Sequence, residues 1–226
     1  MNKKIEAFMS LANIFEKQGY KLYVVGGAVR DYLLHKDPED LDVVTDATPD
    51  EVKLFCLGDF TFAKLGCVKI KHQGVTFELT TLRKEKDYED FRHPKEITFV
   101  KSLRTDCKRR DFTINAMYMD ASFFIYDYVG GRKDLEKNIL RMIGNADKRI
   151  KEDPLRILRA IRFCLMYKFA FSVDLLKAIT DNIDLLKELK PQKIKQELKK
   201  IEGVSRQEMD ALFSRLSIHE YLDMLE

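Results

Sequence analysis

Apolar residues recur at three- and four-residue spacing from the start of the chain. Ile5, Phe8, Met9, Ala12 and Phe15 fall on one face, which predicts an amphipathic helix that stops near Gly19. Leu22-Tyr23-Val24-Val25 is a short strand-like run that breaks at Gly26-Gly27, and residues 28–34 read as a helix starting from that turn. Residues 41–45 alternate apolar with acidic or polar positions and predict a second strand. Thr48-Pro49-Asp50-Glu51 has the marks of a helix start: a hydroxyl cap, proline in the first turn and acids near the positive end. Residues 67–71 and 75–82 both alternate and meet near Gln73-Gly74, which predicts a hairpin.

The pattern then lapses. Residues 84–90 mix both charges with few aliphatics and read as a mobile loop. Order returns at residues 97–120, with a helix expected over 109–118, and Gly130-Gly131 is a second break. Beyond about Lys148 the chain reads as helix almost throughout, with no strand-like run. This single shift predicts an α+β head over residues 1–135 and an all-helical neck over 136–226.

Composition narrows the setting. The 226 residues are 45% apolar and 34% charged, enough for a substantial core. Lys and Arg number 40 against 37 Asp and Glu, a net charge of +3. That balance permits a nucleic-acid partner only through local clustering. Four scattered cysteines form no C-x-x-C pair, so neither a disulfide framework nor a zinc site is expected, and a reducing cytoplasm is. The four histidines are scattered too, leaving carboxylates as the expected metal ligands. The charged N-terminus does not suit a signal peptide, and no run reaches the roughly 20 apolar residues of a membrane span.

Asp40 and Asp42 are two apart on the expected second strand, so both would project from one face. Paired carboxylates suit hard cations such as Mg²⁺. Two such ions about 3.5–4 Å apart serve the attacking and leaving oxygens of phosphoryl transfer. A bare D-x-D is more often a strand-edge or turn feature. Here it follows Gly26, Gly27 and Arg30, where glycines let backbone N–H groups approach a phosphate and the arginine adds a cation. Glu78, on the opposite face from Phe77 and Leu79, reads equally as a third carboxylate or a solvated cross-strand partner. Arg109, Arg110 and Asp111 suit phosphates and a ribose, or a salt-bridged helix start.

In the neck, Asp153 and Arg156 are three apart on a helix, and Arg159 and Arg162 continue the stripe. The plain alternative is a surface helix laced with ion pairs. The chemical one is base selection. Cytosine and adenine each present an amine donor beside a ring-nitrogen acceptor, whereas uracil and guanine present the reverse order. A carboxylate only accepts and a guanidinium only donates, so one Asp–Arg pair admits CTP and ATP and rejects UTP and GTP.

Taken in order, these segments resemble the class II tRNA nucleotidyltransferases. That family holds the bacterial and eukaryotic CCA-adding enzymes with their poly(A) polymerase relatives, in the DNA polymerase β superfamily. The resemblance rests on the glycine turn with Arg30, the Asp40/Asp42 pair, and Phe77-Glu78-Leu79-Thr80-Thr81-Leu82-Arg83. It continues through Tyr88-Glu89-Asp90-Phe91-Arg92-His93-Pro94, the segment 109–116, Gly130-Gly131-Arg132-Lys133-Asp134-Leu135 and the Glu152–Arg159 stretch. It implies a DNA polymerase β-like head, Mg²⁺ on Asp40 and Asp42, and nucleotide contacts from Gly27 and Arg30. Arg110, Asp153, Arg156, Arg159 and Arg162 would complete a CTP/ATP site. The implied reaction is template-independent transfer of CMP and AMP to the 3′ end of tRNA. Lys64-Leu65-Gly66-Cys67-Val68-Lys69-Ile70 resembles the tRNA-processing branch more than the poly(A) branch. Two departures stand out. The family's later Glu-Arg-hydrophobic-x-x-Glu-Leu motif reads Gln192-Lys193-Ile194-Lys195-Gln196-Glu197-Leu198, and the body and tail that grip tRNA lie outside these residues. Alternatives are A-only or CC-only addition, poly(A) synthesis, or a non-catalytic RNA-binding fragment. The oligomeric state is left open, a dimer included.

Overall fold

A computed structural model describes residues 3–38, 40–88 and 94–225. It divides into two compact units, the first comprising residues 1–87 and 94–132 and the second residues 88–93 and 133–226. The first opens with α1 (Lys3–Lys17), which buries Phe8, Leu11 and Phe15 and packs against β1 (Leu22–Val25). Then follow α2 (Gly27–Leu33), β2 (Asp42–Thr45) and α3 (Pro49–Lys53), started by a capping box between Thr48 and Glu51. The expected hairpin forms as β3 (Cys67–His72) and β4 (Val75–Thr81). After β5 (Arg83–Tyr88), β6 (Pro94–Phe99) and the short α4 (Leu103–Asp106), β7 (Met117–Met119) and β8 (Ile125–Asp127) complete the sheet.

The six-stranded sheet runs β3-β4-β2-β1-β7-β8. It is mixed: β2 and β4 are parallel, and the other neighbours are antiparallel. Leu22-Tyr23-Val24-Val25 is buried at every position, as a central strand requires. The second unit contains β9 (Ile139–Leu140), α6 (Ala146–Glu152), α7 (Leu155–Tyr167), β10 (Ala170–Phe171), α8 (Val173–Asp181), α9 (Pro191–Leu198) and α10 (Arg206–Arg215). The helix α5 (Gly131–Glu136) spans the division.

Four expectations are corrected. Residues 84–88 are not a loop but most of β5, paired with β6 in a two-stranded sheet. Arg83 and Glu85, two apart and therefore on one face, form an ion pair at 2.8 Å, so the strand is held by charge rather than aliphatics. The remainder of that expected loop, residues 89–90, and the family segment up to His93 lie outside the described residues. No helix covers 109–118. Arg110 and Phe112 have extended backbone, a 3₁₀ turn occupies Thr113–Asn115, and Met117–Met119 is a fully buried strand. A strand buried on both faces reads as a continuous apolar run, which periodicity cannot separate from a helix. Asp40 precedes β2 rather than lying in it. The region expected to be all-helical, residues 136–226, also holds two short strands, β9 and β10, paired in parallel.

Candidate active site

The turn after β1 needs its first glycine. Gly26 has φ 75° and ψ −131°, a backbone region closed to side-chain-bearing residues. Its N–H donates to the Met117 carbonyl at 3.4 Å, and its carbonyl accepts from the Arg30 N–H at 3.2 Å as α2 begins. A Cβ on Gly27 would meet the Arg30 guanidinium at 3.4 Å, an ordinary van der Waals contact. Arg30 itself is buried: Nη1 donates to Asn115 at 2.8 Å and Nε to Asp31 at 3.0 Å. The cation expected at a phosphate thus ties the turn to the segment around Asn115.

The neighbouring strand brings the acids together. Asp42 stands in register with Glu78 across the parallel β2–β4 pair, while Val43 and Leu79 beside them enter the core. Asp42 and Asp40 are exposed. Enough protein surrounds the Asp42 carboxyl to raise its proton affinity; desolvation is the largest cause, then the Glu78 charge, with Asp40 adding and Arg110 opposing. Negative charge is therefore in surplus, with Arg110 near enough to act on it. Glu78 also takes an ion pair from Lys69 at 3.1 Å, both side chains well exposed, which is the solvated cross-strand arrangement. Among the described residues no group of three or more His, Cys, Asp or Glu is placed to hold a metal. The candidate donors among them are Asp40 and Asp42 alone. They suit Mg²⁺, which binds through one or two carboxylates and takes its other oxygens from water and phosphates. A cavity of about 520 Å³ lined by Tyr20, Tyr23 and Tyr126 reaches Leu22 at the other end of β1, away from the acids.

Beside this lies a buried ionic centre that periodicity did not reveal. Asp106 is fully buried, and its carboxylate accepts from Arg109 Nε (2.8 Å), Arg110 Nε (3.1 Å) and the Tyr118 hydroxyl (2.7 Å). Burial works to raise its pKa, but the charges of Arg110 and Arg109 hold it below the usual aspartate value. The available signal was spacing: Asp106 is three and four residues before Arg109 and Arg110. Asp111 is turned to its own backbone, accepting from the Phe112 N–H at 2.7 Å.

In the helical unit the expected stripe divides. Asp153 ends α6, and its carboxylate accepts from the Leu155 N–H at 3.1 Å and lies 4.0 Å from Arg156. Arg156 is buried and donates to the Arg149 carbonyl at 2.6 Å, with Glu152 at 3.3 Å. Arg162 pairs with buried Glu197 at 2.7 Å and lies over the Phe163 ring; Arg159 reaches the same carboxylate at 4.0 Å. Glu197 is the surviving acid of the altered motif, and Lys200 joins it at 2.8 Å. Asp153 and Arg159 together line a cavity of about 200 Å³ against Lys193, Gln196 and Lys200 of the following helical segment.

Residues 22–141 match the poly A polymerase head domain, and the chain belongs to that family. It is 41% identical over 202 residues to a CCA-adding enzyme of Geobacillus thermodenitrificans, covering 89% of this chain and 50% of the relative. It is 43% identical over 184 residues to that of Lactobacillus johnsonii, covering 81% and 46%. The crystal structure of the Bacillus stearothermophilus CCA-adding enzyme in complex with CTP aligns with a TM-score of 0.87 at 34% identity, over 98% of this chain and 54% of that one. The α+β class read from the sequence is thus the observed fold and that of these relatives. The chain spans about half the length of the curated relatives it matches. All four cysteines are free, and no helix among the described residues is long and apolar enough to cross a membrane.

Proposed function

We propose that this chain transfers CMP and AMP from CTP and ATP to an RNA 3′-hydroxyl without a template, building or repairing the tRNA 3′ CCA end. The observation that carries the reading is the acid cluster at the glycine-turn end of the sheet: Asp42 in register with Glu78 and coupled to Asp40 and Arg110. The family and the names of the relatives support the same reaction.

Asp40 and Asp42 would hold Mg²⁺; bound there, it supplies charge neutralisation for the triphosphate and a lower pKa for the attacking hydroxyl. Gly26 and Gly27 keep the backbone open for phosphate approach, and Arg110, held from behind by Asp106, presents a donor beside the acids. Arg30 holds the glycine turn through Asn115, and Asp111 orders the turn that follows it. Asp153 and Arg156 would read the base, the carboxylate accepting from the exocyclic amine and the guanidinium donating to the ring nitrogen. Arg156 is suited to this because Arg149 and Glu152 set its position in advance. Arg159 shares the Asp153 cavity, whereas Arg162 supports the helix pair through Glu197.

The test is incorporation by the purified chain onto tRNA acceptors ending before the first C, after C and after CC. Completion of CCA on all three supports the reading. Addition of A alone, or of C alone, reduces it to partial activity, and growth beyond CCA points to poly(A) synthesis. No incorporation on any acceptor overturns it.

A further inference from the structure

We infer that Asp106 is the positioning residue that fixes the Arg110 guanidinium beside the acid cluster, and that nucleotide affinity depends on it. The inference deepens the nucleotidyl-transfer reading and rests on it. Asp106 ends α4 with no exposed surface, and its two carboxylate oxygens take five donor contacts. Oδ1 accepts from the Arg83 backbone N–H at 3.0 Å and from Arg109 Nε at 2.8 Å. Oδ2 accepts from Arg110 Nε at 3.1 Å and Nη2 at 3.0 Å, and from the Tyr118 hydroxyl at 2.7 Å.

Arg110 is gripped on two sides. Its Nε also lies 3.1 Å from the Tyr118 oxygen, and its guanidinium stands 5.2 Å from the centre of the Tyr118 ring. Tyr118 is in turn fixed by the sheet: it is fully buried on β7 and pairs with Val25, the residue before Gly26. On the other side of β1, Val24 pairs with Val43, next to Asp42. One carboxylate therefore ties Arg110 to β7, which pairs with the strand that carries the glycine turn and stands two ladders from Asp42. A long cationic side chain carries much rotamer freedom, and a desolvated carboxylate oxygen that takes two of its N–H groups removes it before the nucleotide arrives. Asp106 touches no reacting atom; it acts through Arg110.

The test is steady-state kinetics of Asp106→Asn on a tRNA acceptor, with the variant's folding followed by circular dichroism. The neutral amide retains shape but loses the charge and one acceptor. The KM for CTP should rise about tenfold, and adding Asp106→Asn to Arg110→Ala should change kcat/KM by less than about twofold, because the partner is already gone. A purely structural role lowers the active fraction, hence apparent kcat, with KM unchanged. That result, or independent multiplication of the two effects, overturns the inference. If Asp106→Asn does not fold, Tyr118→Phe decides: it removes one hydroxyl from the same carboxylate. A threefold rise in KM supports the inference, and an unchanged KM overturns it. An inactive wild-type chain overturns the transfer reading and this inference with it, whereas an active one with unaltered variant KM overturns this inference alone.

Discussion

In the sheet unit, Asp40, Asp42 and Glu78 are left at the surface with more negative charge than their neighbours offset, while Asp106 of the same unit is buried and fully met by donors. In the helical unit, the described charges of the stripe follow the pattern of Asp106 rather than that of the surface acids. Its buried acid Glu197 gathers Arg162, Arg159 and Lys200, and Arg156 is held by Arg149 and Glu152. Unmet acids mark the candidate metal site, whereas met charges hold the fold and set Arg110 and Arg156 in place. Three substitutions test that contrast, from the largest effect on stability to the smallest.

Glu197→Gln leaves Arg162 with a neutral partner inside the helical unit. Breaking a buried pair on one side costs about 3–5 kcal/mol, read by urea unfolding; a loss under about 1 kcal/mol would place Glu197 with the solvated pairs. The pH dependence has a definite sign. Burial works to raise the Glu197 pKa, but Arg162, Lys200 and Arg159 hold it below the usual glutamate value. Its contribution is therefore complete above the unfolded-state pKa and is lost as pH falls through the lower folded value. Wild type should lose stability on acidification through that window, and Glu197→Gln should lose less.

Gly131→Ala probes the sheet unit's tolerance. A Cβ there would overlap the Thr113 carbonyl oxygen and press on Met117 at 3.0 Å, so the backbone must shift. The expected cost is about 1–3 kcal/mol in the unfolding midpoint, and a neutral result would show that this turn yields easily. Asp153→Ala should cost no more than about 1 kcal/mol, through loss of its bond from the Leu155 N–H, and act mainly on selection. Incorporation from UTP and GTP relative to CTP and ATP should rise on the order of 10–100-fold, since the group that refuses the wrong base is removed. Unchanged discrimination would take the base-reading role from the Asp153/Arg156 pair.

The exposed position of the sheet unit's acids was legible because a D-x-D just after a glycine turn is a short local pattern. Asp40, Asp42 and the Gly26-Gly27 turn lie within 17 residues of one another. The amphipathic α1, the Thr48 cap and the β3–β4 hairpin were legible for the same reason, as each is decided by local spacing. Asp106 was not, because its importance comes from burial and from Tyr118, twelve residues on and in another strand. The β5–β6 ribbon was hidden by composition, since its ion pairs replace the apolar alternation that marks a strand. Nor could spacing alone divide the neck arginines. Their partners Arg149 and Glu197 stand on other helices, and only the fold brings Glu197, 35 residues away, to Arg162.

The central claim is that Asp40 and Asp42 mark a nucleotidyl-transfer centre. Its most direct test is incorporation from each of the four nucleoside triphosphates onto a tRNA lacking CCA, wild type beside Asp42→Ala at matched folded concentration. Wild type should add CMP and AMP but not UMP or GMP. The variant should lose about 10³-fold in rate, equivalent to several kcal/mol of transition-state stabilisation, with its melting profile intact. Incorporation by the folded variant at the wild-type rate would contradict the account.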